Sequence, residues 1–149
     1  MPRASIIHDK IIALKQEYHK KVVVVGEDAL TSGAYLVATA ADKIYVNRDT
    51  ITGSIGVIMS SFGLTKAIQK LGITRRVYTA GINKDRLDPF LPPSPADKEK
   101  MDAILHTVHQ NFIADVKNSR GNKLQKANKS LFTGDLINME TLYIFKEFF

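Results

Sequence analysis

The chain has 149 residues, 44% hydrophobic and 24% charged, with no cysteine. That is the profile of one ordinary globular domain, and it excludes collagenous, disordered and repeat-array architectures as well as disulfides, thiolate metal sites, cysteine nucleophiles and thiol switches. Basic side chains outnumber acidic ones 21 to 15, a formal net charge of +6.

In chain order, Ile7, Ile11, Leu14 and Tyr18 recur at helical steps and predict a helix over residues 4–18 that buries this face. Lys20 and Lys21 lead into Val22, Val23, Val24 and Val25, an unbroken β-branched run suited to a strand covered on both faces in a parallel sheet. Helix followed by buried strand indicates an α/β architecture. Residues 32–41 are small and apolar enough to pack tightly as a helix against the sheet, with Ser32 at its start. Residues 43–46 alternate like a short strand, and residues 47–49 supply turn chemistry. Residues 52–59 read as a turn feeding another apolar segment, in which Gly53 and Gly56 mark unusual backbone or a close approach. Residues 65–71 read as a short helix stopped by Gly72, and residues 73–79 as a further strand. The aperiodic residues 80–93 form a loop long enough to carry function. Ser94, Pro95 and Asp97 then supply an N-cap, a first-position proline and a first-turn acid. The helix they open carries Met101, Ile104, Leu105, Val108, Phe112, Ile113 and Val116 on one stripe and stops at Gly121.

The basic excess gathers near that end, where Lys117, Arg120, Lys123, Lys126 and Lys129 meet no acid. Such a stretch can hold nucleic acid or an anionic membrane. With no aromatic residue interleaved for base stacking, it reads instead as a solvated helix end running into a loop, and no nucleic-acid partner is expected. No apolar run reaches the roughly 18 residues of a membrane span, and Arg3, Asp9, Lys10 and Lys15 are foreign to a secretory signal. Membrane association through this chain is therefore not evident, and the compartment stays open.

Three kinds of residue could carry chemistry. Ser32 stands between a strand and the first turn of a helix and precedes a glycine, a good place for a nucleophile. A serine there is ordinarily an N-cap, and the chain lacks the glycine that a lipase-type elbow carries before its serine. His8, His19, His106 and His109 lie outside any glycine-rich or loop context that would aim them at Ser32. His106 and His109 lack an evident third metal ligand and are expected to be solvated or half-buried, with no metal and no cofactor. Lys84 is the alternative base. Its amine would have to fall from about 10.4 toward 7 or 8, which requires burial away from water and carboxylates. In an extended segment Asp85 would face solvent while Lys84 faces inward, although a lone loop lysine is ordinarily solvated.

Taken in order, Ser32-Gly33-Ala34-Tyr35, Ala40-Ala41-Asp42-Lys43-Ile44-Tyr45, Thr50-Ile51-Thr52-Gly53-Ser54-Ile55-Gly56-Val57 and Lys84-Asp85 closely resemble the signal peptide peptidase A (SppA/SohB-like) family. The resemblance covers roughly residues 4–134, and the second and third strings are specific to the family. It implies serine peptidases with a Ser-Lys dyad on a ClpP- or crotonase-like layered fold, a mainly parallel sheet flanked by helices. On this resemblance Ser32 is the nucleophile, Lys84 the general base, Ser54 a helper that hydrogen-bonds the lysine amine, and the Gly33 N–H an oxyanion donor. It further implies peptide substrates, such as released signal peptides, and assembly into a homo-oligomeric ring.

Two departures from the family pattern shape the expectation. Family members carry strands and a Gly-Gly turn, source of the second oxyanion donor, upstream of a helix at which this chain effectively begins. Beyond Asp135, where a small-residue helix and a glycine turn would be expected, the sequence leaves the pattern; Ala34 in place of a second glycine is a minor change. Residues 1–149 are therefore expected to form a single incomplete peptidase domain, its N-terminal strands missing and residues 135–149 a divergent tail, with impaired peptidase activity. The competing expectation is a catalytically inactive peptide-binding or assembly module of the same fold.

Overall fold

The computed structural model describes residues 1–124 and 129–137. They fall into two units, one made of Met1–Val57 and Val108–Phe149, the other of Ile58–Thr107. The architecture is α/β, as expected.

The first unit opens with helix α1 (Pro2–Tyr18). Its inward side is not the one that hydrophobic periodicity selects. Ile7, Leu14 and Tyr18 are exposed, whereas Ala4, His8, Ile11, Ile12 and Lys15 are buried or half-buried. The reason lies at the contact with helix α2 (Ser32–Ala38). A Cβ on Gly33 would sit 3.3 Å from the Ala4 Cβ, so two small residues let the helices approach and roll α1 onto its Ala4–His8–Lys15 side. Lys15 fixes the roll, its ammonium donating to the Ala40 carbonyl at 2.8 Å and pairing with Asp42 at 3.0 Å. His8 is buried, with Nδ1 2.9 Å from the Asp9 carboxylate and Nε2 3.4 Å from the Ser119 hydroxyl.

Strand β1 (Val23–Gly26) pairs in parallel with β3 (Lys43–Val46), and β2 (Ala29–Thr31) in parallel with β4 (Ile51–Gly53). Strand β5 (Leu136–Ile137) adds antiparallel to β4, giving a two-stranded and a three-stranded sheet. The valine run enters a parallel sheet as expected, but it is not covered on both faces. Val23 and Val25 are 52% and 67% exposed, beside Tyr45 on the neighbouring strand, while Val24 and Ile44 turn toward the core. With β3 as its one neighbour among the described strands, β1 obeys the period-2 alternation of a sheet packed on one face. The core gathers Leu36, Ile44, Ile55, Phe112 and Val116, all essentially inaccessible; each such side chain contributes about 1.5–3 kcal/mol relative to exposure.

The second unit contains helix α3 (Thr65–Lys70), which ends as predicted, with Gly72 at φ +64°. Residues 73–79 do not form the predicted strand. Their apolar residues are open to solvent, Tyr78 at 90%. A strand acquires its hydrogen bonds only from a neighbour, and none of the described strands pairs with this segment. Residues 80–93 are irregular, as expected. They are tied to the preceding segment by an Arg75–Asp88 ion pair and by the Arg75 guanidinium 5.1 Å from the Phe90 ring centroid.

Helix α4 (Pro95–Arg120) starts as the sequence predicts. The Asp97 N–H donates to the Ser94 hydroxyl at 3.1 Å, and the Asp97 carboxylate accepts from the Ser94 hydroxyl at 2.7 Å and its N–H at 3.3 Å, a reciprocal capping box. The Ser94 hydroxyl, aided by Arg86, holds the Asp97 carboxyl below its ordinary value. Phe112 and Val116 bury the expected stripe, whereas Ile104 stays exposed. Gly121, at φ +47°, closes the helix. The basic stretch is not simply a solvated end. Lys117 lies 5.4 Å from the Phe132 ring centroid and Arg120 is buried, while the side chains of Lys123, Lys126 and Lys129 lie outside the described residues.

Candidate active site

Two serines occupy left-handed backbone at the ends of neighbouring parallel strands. Thr31, the last residue of β2, is extended at φ −122°, and Ser32 then turns to φ +51° as the first residue of α2. A non-glycine residue held there is strained by roughly 1–2 kcal/mol. Strand, left-handed serine, helix is the sharp turn that projects a nucleophile from a sheet edge. The ordinary N-cap role is not what the structure shows, because Thr31 is the N-cap and the helix start carries no side-chain capping bond. Ser32 is thus not spent on closing its own helix. The Gly33 N–H follows in the first turn of α2, where the helix itself supplies no acceptor.

Ser54 leaves β4 at the same level, since Thr31 and Gly53, the residues before the two serines, are register partners. Gly53 has φ +83° and Ser54 φ +53°. The suspicion that Gly53 and Gly56 mark close approaches is correct: a Cβ on Gly53 would lie 2.9 Å from the Asp135 carbonyl oxygen, and one on Gly56 2.9 Å from the Gly134 Cα. The Ser54 N–H donates to the Asp135 carbonyl at 2.7 Å, and the Gly56 N–H to the Ser54 carbonyl at 2.9 Å, closing a three-residue turn about the fully buried Ile55. The His109 Nε2 on α4 lies 3.0 Å from the Ile55 carbonyl.

Lys84 belongs to the second unit. It is exposed, in the turn of residues 82–87, its N–H donating to the Gly81 carbonyl at 3.1 Å. The extended conformation expected to send Lys84 inward and Asp85 outward is absent, and both are exposed. Without the strand at residues 73–79, nothing imposes strand alternation on them.

Two features escaped the sequence reading. Tyr35, one turn beyond Ser32, is buried, and that burial raises its phenol above the ordinary value against the opposing pull of the Arg120 charge. The other is the bond from His109 to the Ile55 carbonyl: the ring is half-buried, within what was expected, but its place among Leu105, Val108 and Phe112 on the inward stripe of α4 is the one signal of a partner. Among the described residues no group of three or more potential ligands is placed to hold a metal ion, and no helix is long and apolar enough to cross a membrane.

Comparison with known proteins gives the geometry its context. A Brucella melitensis protein named Na(+)/H(+) antiporter NhaA is 43% identical over 132 residues, covering 89% of this chain and 18% of that protein. An Enterococcus faecium protein named after signal peptide peptidase SppA is 32% identical over 94 residues, 63% of this chain and 27% of its own length. The chloroplastic serine protease SPPA of Arabidopsis thaliana is 30% identical over 108 residues, 72% of this chain and 16% of its own. The chain thus spans well under a third of each of these relatives. The family model of peptidase family S49 matches residues 14–136. A match to 89% of the chain necessarily includes most of that stretch, so what is shared with the antiporter is the peptidase-like part. With left-handed serines closing two paired strands and a family match across most of its length, the chain belongs to peptidase family S49, among its SppA/SohB-like members.

Proposed function

We propose that this chain supplies the reacting core of a serine peptidase on a ClpP- or crotonase-like layered fold, with Ser32 as nucleophile and Lys84 as general base. The observation that carries the reading is the pair of left-handed serines, Ser32 and Ser54, leaving register-paired residues of adjacent parallel strands. Strained backbone persists only where its surroundings over-determine it, and it concentrates at sites of chemistry. The carboxyl ends of parallel strands are where open α/β sheets bind ligands.

In this mechanism the neutral Lys84 amine takes the Ser32 hydroxyl proton as Oγ bonds to the scissile carbonyl carbon. The Gly33 N–H receives the developing oxyanion; one such donor is worth on the order of a hundredfold or more in rate. The Lys84 ammonium then gives its proton to the leaving amine as the C–N bond breaks. Water attacks the acyl ester, and its proton passes through Lys84 back to Ser32. Ser54 orients the uncharged amine without the charge by which a carboxylate would trap it as ammonium. Since Lys84 is exposed, its base role requires desolvation by bound peptide or by a neighbouring subunit of a homo-oligomer. Peptides, including released signal peptides, are the substrate class that the family likeness supports.

The test is labelling of the purified chain by a serine-reactive fluorophosphonate probe. Wild type should label, and Ser32→Ala and Lys84→Arg should not, because arginine keeps the charge but cannot serve as a neutral base. Wild-type labelling no greater than that of Ser32→Ala would leave a peptide-binding or assembly module in place of a peptidase.

A further inference from the structure

We propose that His109 is a positioning residue for the Ser54 turn, its Nε2–H holding the Ile55 carbonyl so that Ser54 keeps its left-handed backbone. The inference rests on the Ser32–Lys84 reading for its catalytic consequence, but the link itself stands on geometry.

Ser54 has no glycine-like freedom, yet it follows Gly53 with a second consecutive positive φ, +53° after +83°. The turn is secured at several points. The Ile55 side chain is fully buried, the Ser54 N–H reaches the Asp135 carbonyl, and the Gly56 N–H reaches the Ser54 carbonyl. These fix the Ile55 side chain and the N–H groups on either side of it but leave the Ile55 carbonyl to His109, 3.0 Å away. A carbonyl can only accept, so Nε2 must carry the proton, which both the Nε2–H tautomer and the imidazolium provide. The donor rides on α4, a helix of 26 residues whose next inward position, Phe112, is buried. The imidazole therefore transmits the position of a rigid element to a strained turn, and through it to the hydroxyl proposed to orient the lysine amine.

Its place explains why neither ordinary role of a histidine fits. Its Nε2 is not free to take the Ser32 proton, because it donates to the Ile55 carbonyl on the β4 side of the site. Nor is it simply a solvated helix residue, because it lies half-buried on the inward stripe.

The experiment compares His109→Leu, which keeps bulk and loses the donor, with His109→Gln, whose amide can still donate to the Ile55 carbonyl, in the full 149-residue chain. In the isotope-labelled wild type the His109 ring should carry its proton on Nε2, and the Ser54 Cα and Cβ shifts should be those of left-handed backbone. Those shifts should move in His109→Leu and return in His109→Gln. Fluorophosphonate labelling of Ser32 should slow about tenfold or more in His109→Leu, as expected when a reacting group loses its alignment, and recover in His109→Gln. An Nδ1–H ring in wild type, Ser54 shifts unmoved in His109→Leu, or equal losses in both variants would each overturn the proposal. If wild type fails to label, the peptidase reading falls, while the ring proton and the Ser54 shifts still decide the positioning link.

Discussion

Substituting Ser32 by glycine and by alanine in parallel reads the strain of its left-handed turn directly. At φ +51° any residue with a Cβ carries roughly 1–2 kcal/mol, a cost alanine retains and glycine removes. Glycine gives back about 0.4–1 kcal/mol through the greater freedom of its unfolded chain. The Ser32→Gly protein should therefore be more stable than the Ser32→Ala protein by about 0.5–1 kcal/mol. In an unstrained helix the order is the opposite, alanine leading glycine by about 1 kcal/mol. The sign alone carries the answer. For a chain of this length the difference corresponds to about 1–4 °C in Tm, within reach of thermal unfolding followed by circular dichroism. Neither variant should react with the fluorophosphonate probe, so the more stable protein would also be an inert one, as expected where a native residue is held in strain for function. A Ser32→Ala protein that melts at or above Ser32→Gly would refute the left-handed turn and the nucleophile assignment built on it.

Two further outcomes concern the long helix and the buried phenol. Ser94→Ala should cost about 1 kcal/mol, within a range of roughly 0.5–2, by urea denaturation near neutral pH. The Asp97 N–H bond to the Ser94 hydroxyl persists at all pH, but because that hydroxyl also lowers the Asp97 carboxyl in the folded state, the part of the penalty owed to the carboxylate is present above the ordinary value of about 3.9 and is lost as pH falls through the lowered one; a penalty of equal size at neutral and strongly acid pH would contradict this. Tyr35 is raised by burial, so the folded protein holds its phenolic proton more tightly, and stability should fall as pH rises past about 10. Tyr35→Phe should flatten that alkaline decline in denaturation curves, and equal declines in the two proteins would contradict the burial argument.

What was legible in the amino-acid order follows the range of the interactions involved. The Ser94–Asp97 cap, the Gly72 stop and the strand at residues 43–46 depend on neighbours a few positions apart, and they are found where the local pattern puts them. The inward face of α1 was not legible, because hydrophobic spacing selects the largest side chains, while the contact is made where Ala4 meets Gly33 and two backbones can approach. The strand expected at residues 73–79 has a suitable composition but no partner among the described strands, and composition cannot provide one. Ser32 and Ser54 were recognisable as candidates from their motifs. Their left-handed backbone was not; at Ser54 it accompanies contacts with Asp135 and His109, groups too distant along the chain for any local pattern to show.

The anchoring of the Ser54 turn to Gly134 and Asp135 has a consequence for the order of events during synthesis. Strand β4 leaves the ribosome long before the residues that clamp it, and at translation rates of about 5–20 residues per second the gap is on the order of ten seconds. Throughout that interval the nascent polypeptide lacks the contacts that set one of its two serine turns. The Ser54 turn can thus reach its final form only after Gly134 and Asp135 have emerged, however early β4 itself is made.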